Sequence, residues 1–274
     1  MIILKPKSRF KTPVEAECIS PDIFSKKSLE EIKNLPIYEG NEKKTLKDLF
    51  EVKEESEDKD EKTITIQGDV KAVKQIGAEM SSGKIKIEGN AGMHLGREMK
   101  GGEIIVQGDA DDWAGENMEG GLIRIKGNGC NFIGSTSWGK DVGMKGGIIV
   151  IEGNVGHEAG KRMRRGIIAV KGNTGSFAGN LITGGTILSF GDFGERAGAG
   201  MDRGTLVAFN PVELLPTFKY DSTYNPNFLR VLLRELGRYD LPIEGKHITG
   251  VYERYSGDLA ALGKGEILIW KGEE

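Results

Sequence analysis

Cysteine is nearly absent. Cys18 and Cys130 are the two in 274 residues, too few and too far apart in sequence for a zinc or iron–sulfur motif. Histidine is scarce as well: no two of His94, His157 and His247 sit at metal-ligand spacing. Neither charge sign dominates. The 38 basic and 41 acidic residues leave a net charge of −3 without a basic stripe, which argues against a nucleic-acid binder. No apolar run approaches the roughly 18 residues of a membrane span, and the first residues lack the shape of a signal peptide. A soluble, cytoplasmic chain is therefore expected. A Gly-x-Ser-x-Gly elbow, a Cys–His pair and a paired-carboxylate site are all missing. No catalytic machinery is visible.

Glycine is what the chain has in excess, with 33 of its 41 copies between Thr63 and Asn210. They mark a sentence repeated seven times, as in KIKIEGNAGMHLGREMKGG (Lys84 to Gly102) and IIAVKGNTGSFAGNLITGG (Ile167 to Gly185). Aligned on the glycine that precedes Asn or Asp, the anchors are Gly68, Gly89, Gly108, Gly127, Gly153, Gly172 and Gly191, at intervals of 21, 19, 19, 26, 19 and 19 residues. Self-similarity at such a period is the mark of a solenoid. Four and two residues before six of the seven anchors stand pairs such as Ile85 and Ile87 or Ile149 and Ile151. Alternation of β-branched residues predicts a half-buried strand, and the Gly-Asn or Gly-Asp that follows predicts a turn that exploits positive φ. One isolated repeat has nothing to bury its Ile pair against, so successive strands must stack in parallel. Nineteen residues at roughly 3.3 Å each give a perimeter of about 60 Å, enough for a hollow coil. Met80, Met99, Met118, Met144, Met163 and Met201 recur late in their copies, where flexible thioethers fill an irregular interior.

Leucine-rich repeats would need a Leu-rich frame, and a left-handed β-helix a six-residue rhythm; neither is present. The prediction is a mainly β chain built on a right-handed parallel β-helix of about seven rungs. Its parts would be an N-terminal cap and charged linker (1–62), the glycine-rich coil (63–210) and a helix-plus-strand extension (211–274).

In the cap, Met1 to Leu4 and Val14 to Ile19 read as short strands. Ser28 and Glu31 form a capping box before a helix from Leu29 to about Asn34, and a second helix is expected near Leu46 to Val52. Lys53 to Lys62 carries nine charges in ten residues, a solvated linker. The cap should cover the strand edge of the first rung. At the other end Asn225 and Pro226 start a helix lined by Phe228, Leu229, Leu232, Leu233 and Leu236 and ending at Gly237, and GEILIWKG (Gly265 to Gly272) reads as one more strand. Outward strand positions grow apolar along the coil, from Thr65 and Lys86 to Val150, Ala169, Leu188 and Val207. Such a strip must be covered, and the C-terminal helix offers one cover.

The fourth copy is seven residues longer than its neighbours, with the excess near Ser135 to Asp141. Gly134-x-x-x-x-Gly139-Lys140-Asp141 comes one residue short of a phosphate-binding loop, because Asp141 stands where Ser or Thr would hold magnesium. A protruding loop with an exposed Trp138 suits a protein partner better. Trp138 and Lys140, with Arg162, Arg164 and Arg165 of the one basic turn, are the candidate partner contacts.

The repeated Gly-x-x-Gly-x-x-x-Gly, as in Gly89/Gly92/Gly96 and Gly172/Gly175/Gly179, resembles the β-helical C-terminal domain of the glutamate synthase large subunit. Asp111 and Cys130 replace its middle glycine in two copies. With the flanks CISPDIFSKKSLEEIKNLPIYEGN and YNPNFLRVLLRELGRY, the chain resembles the C subunit of formylmethanofuran dehydrogenase from methanogenic archaea. That resemblance implies an oxidoreductase complex that reduces carbon dioxide to formate and joins it to methanofuran in methanogenesis. It also implies a tungsten- or molybdenum-pterin, iron–sulfur clusters and zinc on other subunits, with none bound by this chain. The implied partners are the pterin-binding catalytic subunit and the amidohydrolase subunit, with neither nucleic acid nor membrane. Two other readings stay open: a β-helical enzyme with a groove site around His94, His157 and the basic turn, and a glutamate-synthase-like structural domain of another complex.

Overall fold

The computed structural model describes residues 1–55 and 62–273. The head contributes β1 (Ile2–Pro6), β2 (Val14–Glu15), α1 (Pro21–Phe24), α2 (Leu29–Lys33), β3 (Pro36–Glu39), β4 (Glu42–Thr45), α3 (Leu46–Leu49) and β5 (Phe50–Glu54). The repeats contribute β6 (Thr63–Ile66), β7 (Val73–Lys74), β8 (Lys84–Ile87), β9 (Glu103–Val106), β10 (Leu122–Ile125), β11 (Ile148–Ile151), β12 (Ile167–Val170), β13 (Thr186–Ser189) and β14 (Thr205–Ala208). The tail adds β15 (Lys219–Tyr224), α4 (Asn227–Leu236), α5 (Gly245–Thr249), β16 (Val251–Gly257) and β17 (Gly265–Gly272).

The chain is mainly β, and its principal feature is a thirteen-stranded mixed sheet in the order β15-β16-β17-β14-β13-β12-β11-β10-β9-β8-β6-β1-β5. Each repeat strand pairs in parallel with the equivalent strand one copy on, without register slip. Ile64, Ile85, Ile104, Ile123, Ile149, Ile168, Ile187 and Leu206 therefore form one column, each no more than 1 % exposed. Burying each is worth about 1.5–3 kcal/mol. A second parallel ladder of single bridges runs through Val70, Ala91, Ala110, Gly129, Val155, Thr174 and Phe193. The methionines and Ile182, which takes their station in the sixth copy, are wholly buried in between.

The anchor glycines obey a different rule from the expected one. Only Gly68 among them has a positive φ; left-handed glycines instead stand seven residues after six of the anchors, as Gly115 does, and at the close of each copy, as Gly121 does. At Gly172 a Cβ would lie 2.4 Å from Asn154 Oδ1 and 2.7 Å from the Gly153 carbonyl oxygen. The anchor is bare because the Asn of the preceding copy occupies that space. Asn154 Oδ1 accepts the Asn173 backbone N–H at 2.8 Å, and Asn90, Asp109, Asn128 and Asn173 repeat the arrangement at 2.7–2.9 Å. Where an Asn follows an Asp, as Asn128 follows Asp109, its amide also donates to the carboxylate at 3.2 Å.

Both ends of the column are closed. At the start, β1 pairs in parallel with β6 and antiparallel with β5, as expected of a cap. At the finish β17 adds in parallel to β14, and β16 and β15 continue antiparallel. The capping box Ser28/Glu31 forms. The second head helix is shorter than expected, because from Phe50 the chain extends into β5, which absorbs Lys53 and Glu54 of the expected linker. Residues 56–61 of that linker lie outside the described residues.

The apolar strip is covered from within. Leu229, Leu233 and Leu236 of α4 pack with Leu241, Tyr252 and Leu268 on Val150, Ala169, Leu188, Val207 and Phe209. Where the same wall is still polar, the segment after α4 meets it with charge: Asp240 receives Arg124 at 3.0 Å and Lys126 at 3.3 Å. Asn225 does not cap α4. Its amide instead donates to the carbonyls of Ile248, Thr249 and Gly250 and ties α4 to the end of α5, while Phe228 stays 45 % exposed. No helix among the described residues is long and apolar enough to cross a membrane.

Candidate interaction surface

Five residues after the anchor, every copy but the first turns through a left-handed residue: His94, Trp113, Phe132, Glu158, Phe177 and Arg196, with φ between 56° and 63°. This conformation is unfavourable for bulky side chains. It persists here because it aims the backbone N–H along the column, where it bonds the next copy: His94 to the Asp112 carbonyl at 3.1 Å, Trp113 to Asn131 at 3.0 Å and Phe132 to His157 at 2.9 Å. The side chains at this station are thereby superposed. His94 stacks on Trp113 (5.4 Å, 13°), and Trp113 on Phe132 (4.6 Å, 9°).

The extra residues of the fourth copy stand beside this stack. Thr136 N donates to the Lys161 carbonyl, as the equivalent Glu98 donates to Glu116 and Arg162 to Asn180. Met144 N then returns to the Gly134 carbonyl, as Met163 does to Gly160. The excursion is therefore Ser137 to Gly143, two residues later than expected, and Ser135 and Thr136 are buried members of the regular copy.

Trp138 at its tip is 79 % exposed. Its ring meets Phe132 edge-on at 6.3 Å, and Lys161 Nζ lies 5.6 Å from its centroid. The loop is fastened on three sides. Lys140 pairs with Glu98 at 2.6 Å, Arg162 with Asp141 at 3.0 Å, and Ser137 donates to Glu116. Glu116 is 3 % exposed, and its other carboxylate oxygen lies 2.5 Å from His94 Nδ1. Burial raises the Glu116 carboxyl, yet the bonds from His94 and Ser137 outweigh it and hold it below the usual carboxylate range. A cavity of about 250 Å³ opens between Trp113, Phe132, Trp138, Lys140, Lys161 and Arg162.

A phosphate cradle would need free N–H groups and a following helix. The Thr136, Lys140 and Gly143 N–H groups already donate to the Lys161, Ser137 and Arg162 carbonyls, and no helix follows Lys140. Arg164 and Arg165 are exposed and take part in no salt bridge among the described residues. His94 and His157 are not brought together, since His157 sits one station earlier and accepts the Ser176 N–H at 3.1 Å. The stack His94–Trp113–Phe132 escaped the sequence reading, although its signal was present: each lies five residues after Gly89, Gly108 and Gly127.

Two other places gather groups that could in principle hold a ligand. Asp111, Asp112 and Cys130 bring three donor atoms within 4.8 Å of one another. One Asp112 oxygen already accepts both the backbone and amide N–H groups of Asn131, and an Asp111 oxygen accepts the Asp112 N–H. Burial, then Asp111 and Asp112, raise the Cys130 thiol. An ion there would have to displace the thiol proton and compete with these turn bonds. A larger cavity of about 890 Å³ lies where the head meets the first repeat, between Lys5, Arg9, Phe10, Asp69, Lys71 and Asp111. Its charges are of both signs and mostly exposed.

Residues 52–218 match the GXGXG-motif family. Among curated proteins, the C subunit of the molybdenum-containing formylmethanofuran dehydrogenase 1 of Methanothermobacter marburgensis is 47 % identical over 91 residues. The C subunit of the tungsten-containing formylmethanofuran dehydrogenase 2 of Methanothermobacter wolfeii is 48 % identical over 94 residues. These stretches cover 33 % and 34 % of this chain, and span only 22 % and 35 % of the two relatives. Among solved structures, a chain of the formyltransferase/hydrolase complex from Methylorubrum extorquens, determined with methylofuran, superposes with a TM-score of 0.88 at 33 % identity. That likeness covers 97 % of this chain and 98 % of the other.

Proposed function

The chain belongs to the GXGXG-motif family, and from that premise we propose that it is a non-catalytic assembly subunit of a formylmethanofuran dehydrogenase-type complex. In that complex carbon dioxide is reduced to formate and joined to methanofuran on other subunits. The carrying observation is the chain-long likeness to one member of a multi-chain enzyme, joined to the identity with the C subunits of the two dehydrogenases. We read the column as a right-handed parallel β-helix of about seven turns over 63–210. The head (1–62) and tail (211–274) serve as its end pieces. The in-register parallel strands and the second bridge ladder support this reading. Tungsten- or molybdenum-pterin, iron–sulfur clusters and zinc then belong to the pterin-binding and amidohydrolase chains, and this chain supplies the wall on which they are arranged.

The test is purification of the native complex through a tag on this chain, with native mass spectrometry and elemental analysis. The pterin-binding and amidohydrolase chains should be recovered with stoichiometric tungsten or molybdenum. The isolated chain should hold neither metal, and a chain recovered alone would sink the reading. A second reading has its own support, because the neighbour matched over its whole length belongs to a formyltransferase/hydrolase complex. An intact assembly lacking both tungsten and molybdenum would favour that reading.

A further inference from the structure

We propose that the excursion Ser137 to Gly143 presents Trp138 as a pre-positioned anchor for a partner protein's acidic surface bearing an apolar slot, with Arg164 and Arg165 meeting its carboxylates. This inference rests on the assembly role and specifies its contact. A single exposed apolar residue ordinarily means nothing; three observations set this one apart. First, it sits at the tip of the one seven-residue departure from a 19-residue period, so the coil closes without it. Second, the loop is held before any partner arrives, by Lys140–Glu98, Arg162–Asp141, Ser137–Glu116 and the Phe132 edge. Ordering the loop in advance removes an entropy cost from association, and Trp and Arg are the residues that most often dominate interfaces. Third, the nearby charges are sorted. Lys140, Lys145, Lys161 and Arg162 each have an acidic partner in the chain. Arg164 and Arg165, whose backbone N–H groups donate to the carbonyl of Met144 directly after the loop, are exposed without one among the described residues. In a chain whose net charge is −3, this local positive surplus calls for carboxylates on the other side.

The experiment uses the full chain in its native complex, comparing wild type with Trp138→Ala and with Arg164→Gln/Arg165→Gln. Thermal melting of each purified chain checks the fold, and dissociation of the complex is followed across a salt series. Trp138→Ala should weaken association at least tenfold with an unchanged melt. The double arginine variant should weaken it several-fold and flatten its salt dependence. An intact wild-type complex that neither variant weakens overturns this inference alone. A Trp138-dependent dimer of this chain also overturns it, since the occupant would then be a second copy. Wild-type chain that copurifies with nothing overturns the assembly role and this contact together.

Discussion

At the scale of single residues, the column is governed by what cannot be placed in it. Gly172 is closed to a methyl group by Asn154 Oδ1 and the Gly153 carbonyl, so Gly172→Ala should cost about 1–3 kcal/mol by overpacking. Gly237 is the control. It has φ −59 and ψ −16, with nothing within 4 Å of an added Cβ, so Gly237→Ala should stabilise by about 0.5 kcal/mol by restricting the unfolded chain. Urea titration of both variants checks the contrast, and equal effects would remove the close-approach explanation. Sequence alone marked these glycines by period but gave the wrong cause. The reason is physical: a bare Cα is needed both for positive φ and for close approach, and composition looks the same in either case. Only the position of Asn154 one copy earlier separates them.

Elements show the same division between what the chain spells out and what it withholds. The Ile pairs and the last strand were legible because a period of two states a buried face directly. Leucines at helical spacing offered a cover for the apolar strip, but left open whether that helix or a second chain closed it. Its details were not legible: Asn225 reads locally as a cap and is in fact a tie to α5, a choice made by tertiary neighbours. Leu233 is wholly buried in that cover, so Leu233→Ala should cost about 2–5 kcal/mol. The same cover carries a pH dependence. His247 lies edge-on to Phe209 at 4.9 Å and Trp270 at 5.1 Å, and burial, with a smaller effect from Lys246, pushes its pKa below 6.5 against the pull of Glu244. A depressed histidine contributes stability that is whole above its unfolded value and is lost as pH falls from about 6.5 toward the folded value. Melting temperature should therefore decline between pH 7 and pH 5 more steeply in wild type than in His247→Gln. Parallel profiles would exclude His247 as the cause.

For the whole molecule, the sequence told much about what the walls are and little about what they meet. Trp138 was visible as an exposed tip. The stack of His94, Trp113 and Phe132 behind it required three copies to be superposed before it became a surface. Because Thr136 and Met144 keep the bonding of a regular copy, excising Ser137 to Gly143 should leave a coil that melts within a few degrees of wild type. The loss should appear only in assembly, measured by native mass spectrometry; a collapsed melt would mean that the loop belongs to the fold. From β1 through β6 and β8–β14 to β17, ten parallel strands run in register. At about 4.8 Å per step they span about 43 Å. Such a body is a gauge with fixed graduations: duplicating or deleting one 19-residue copy would move whatever is seated at its two extremities by one graduation, while leaving its cross-section unaltered.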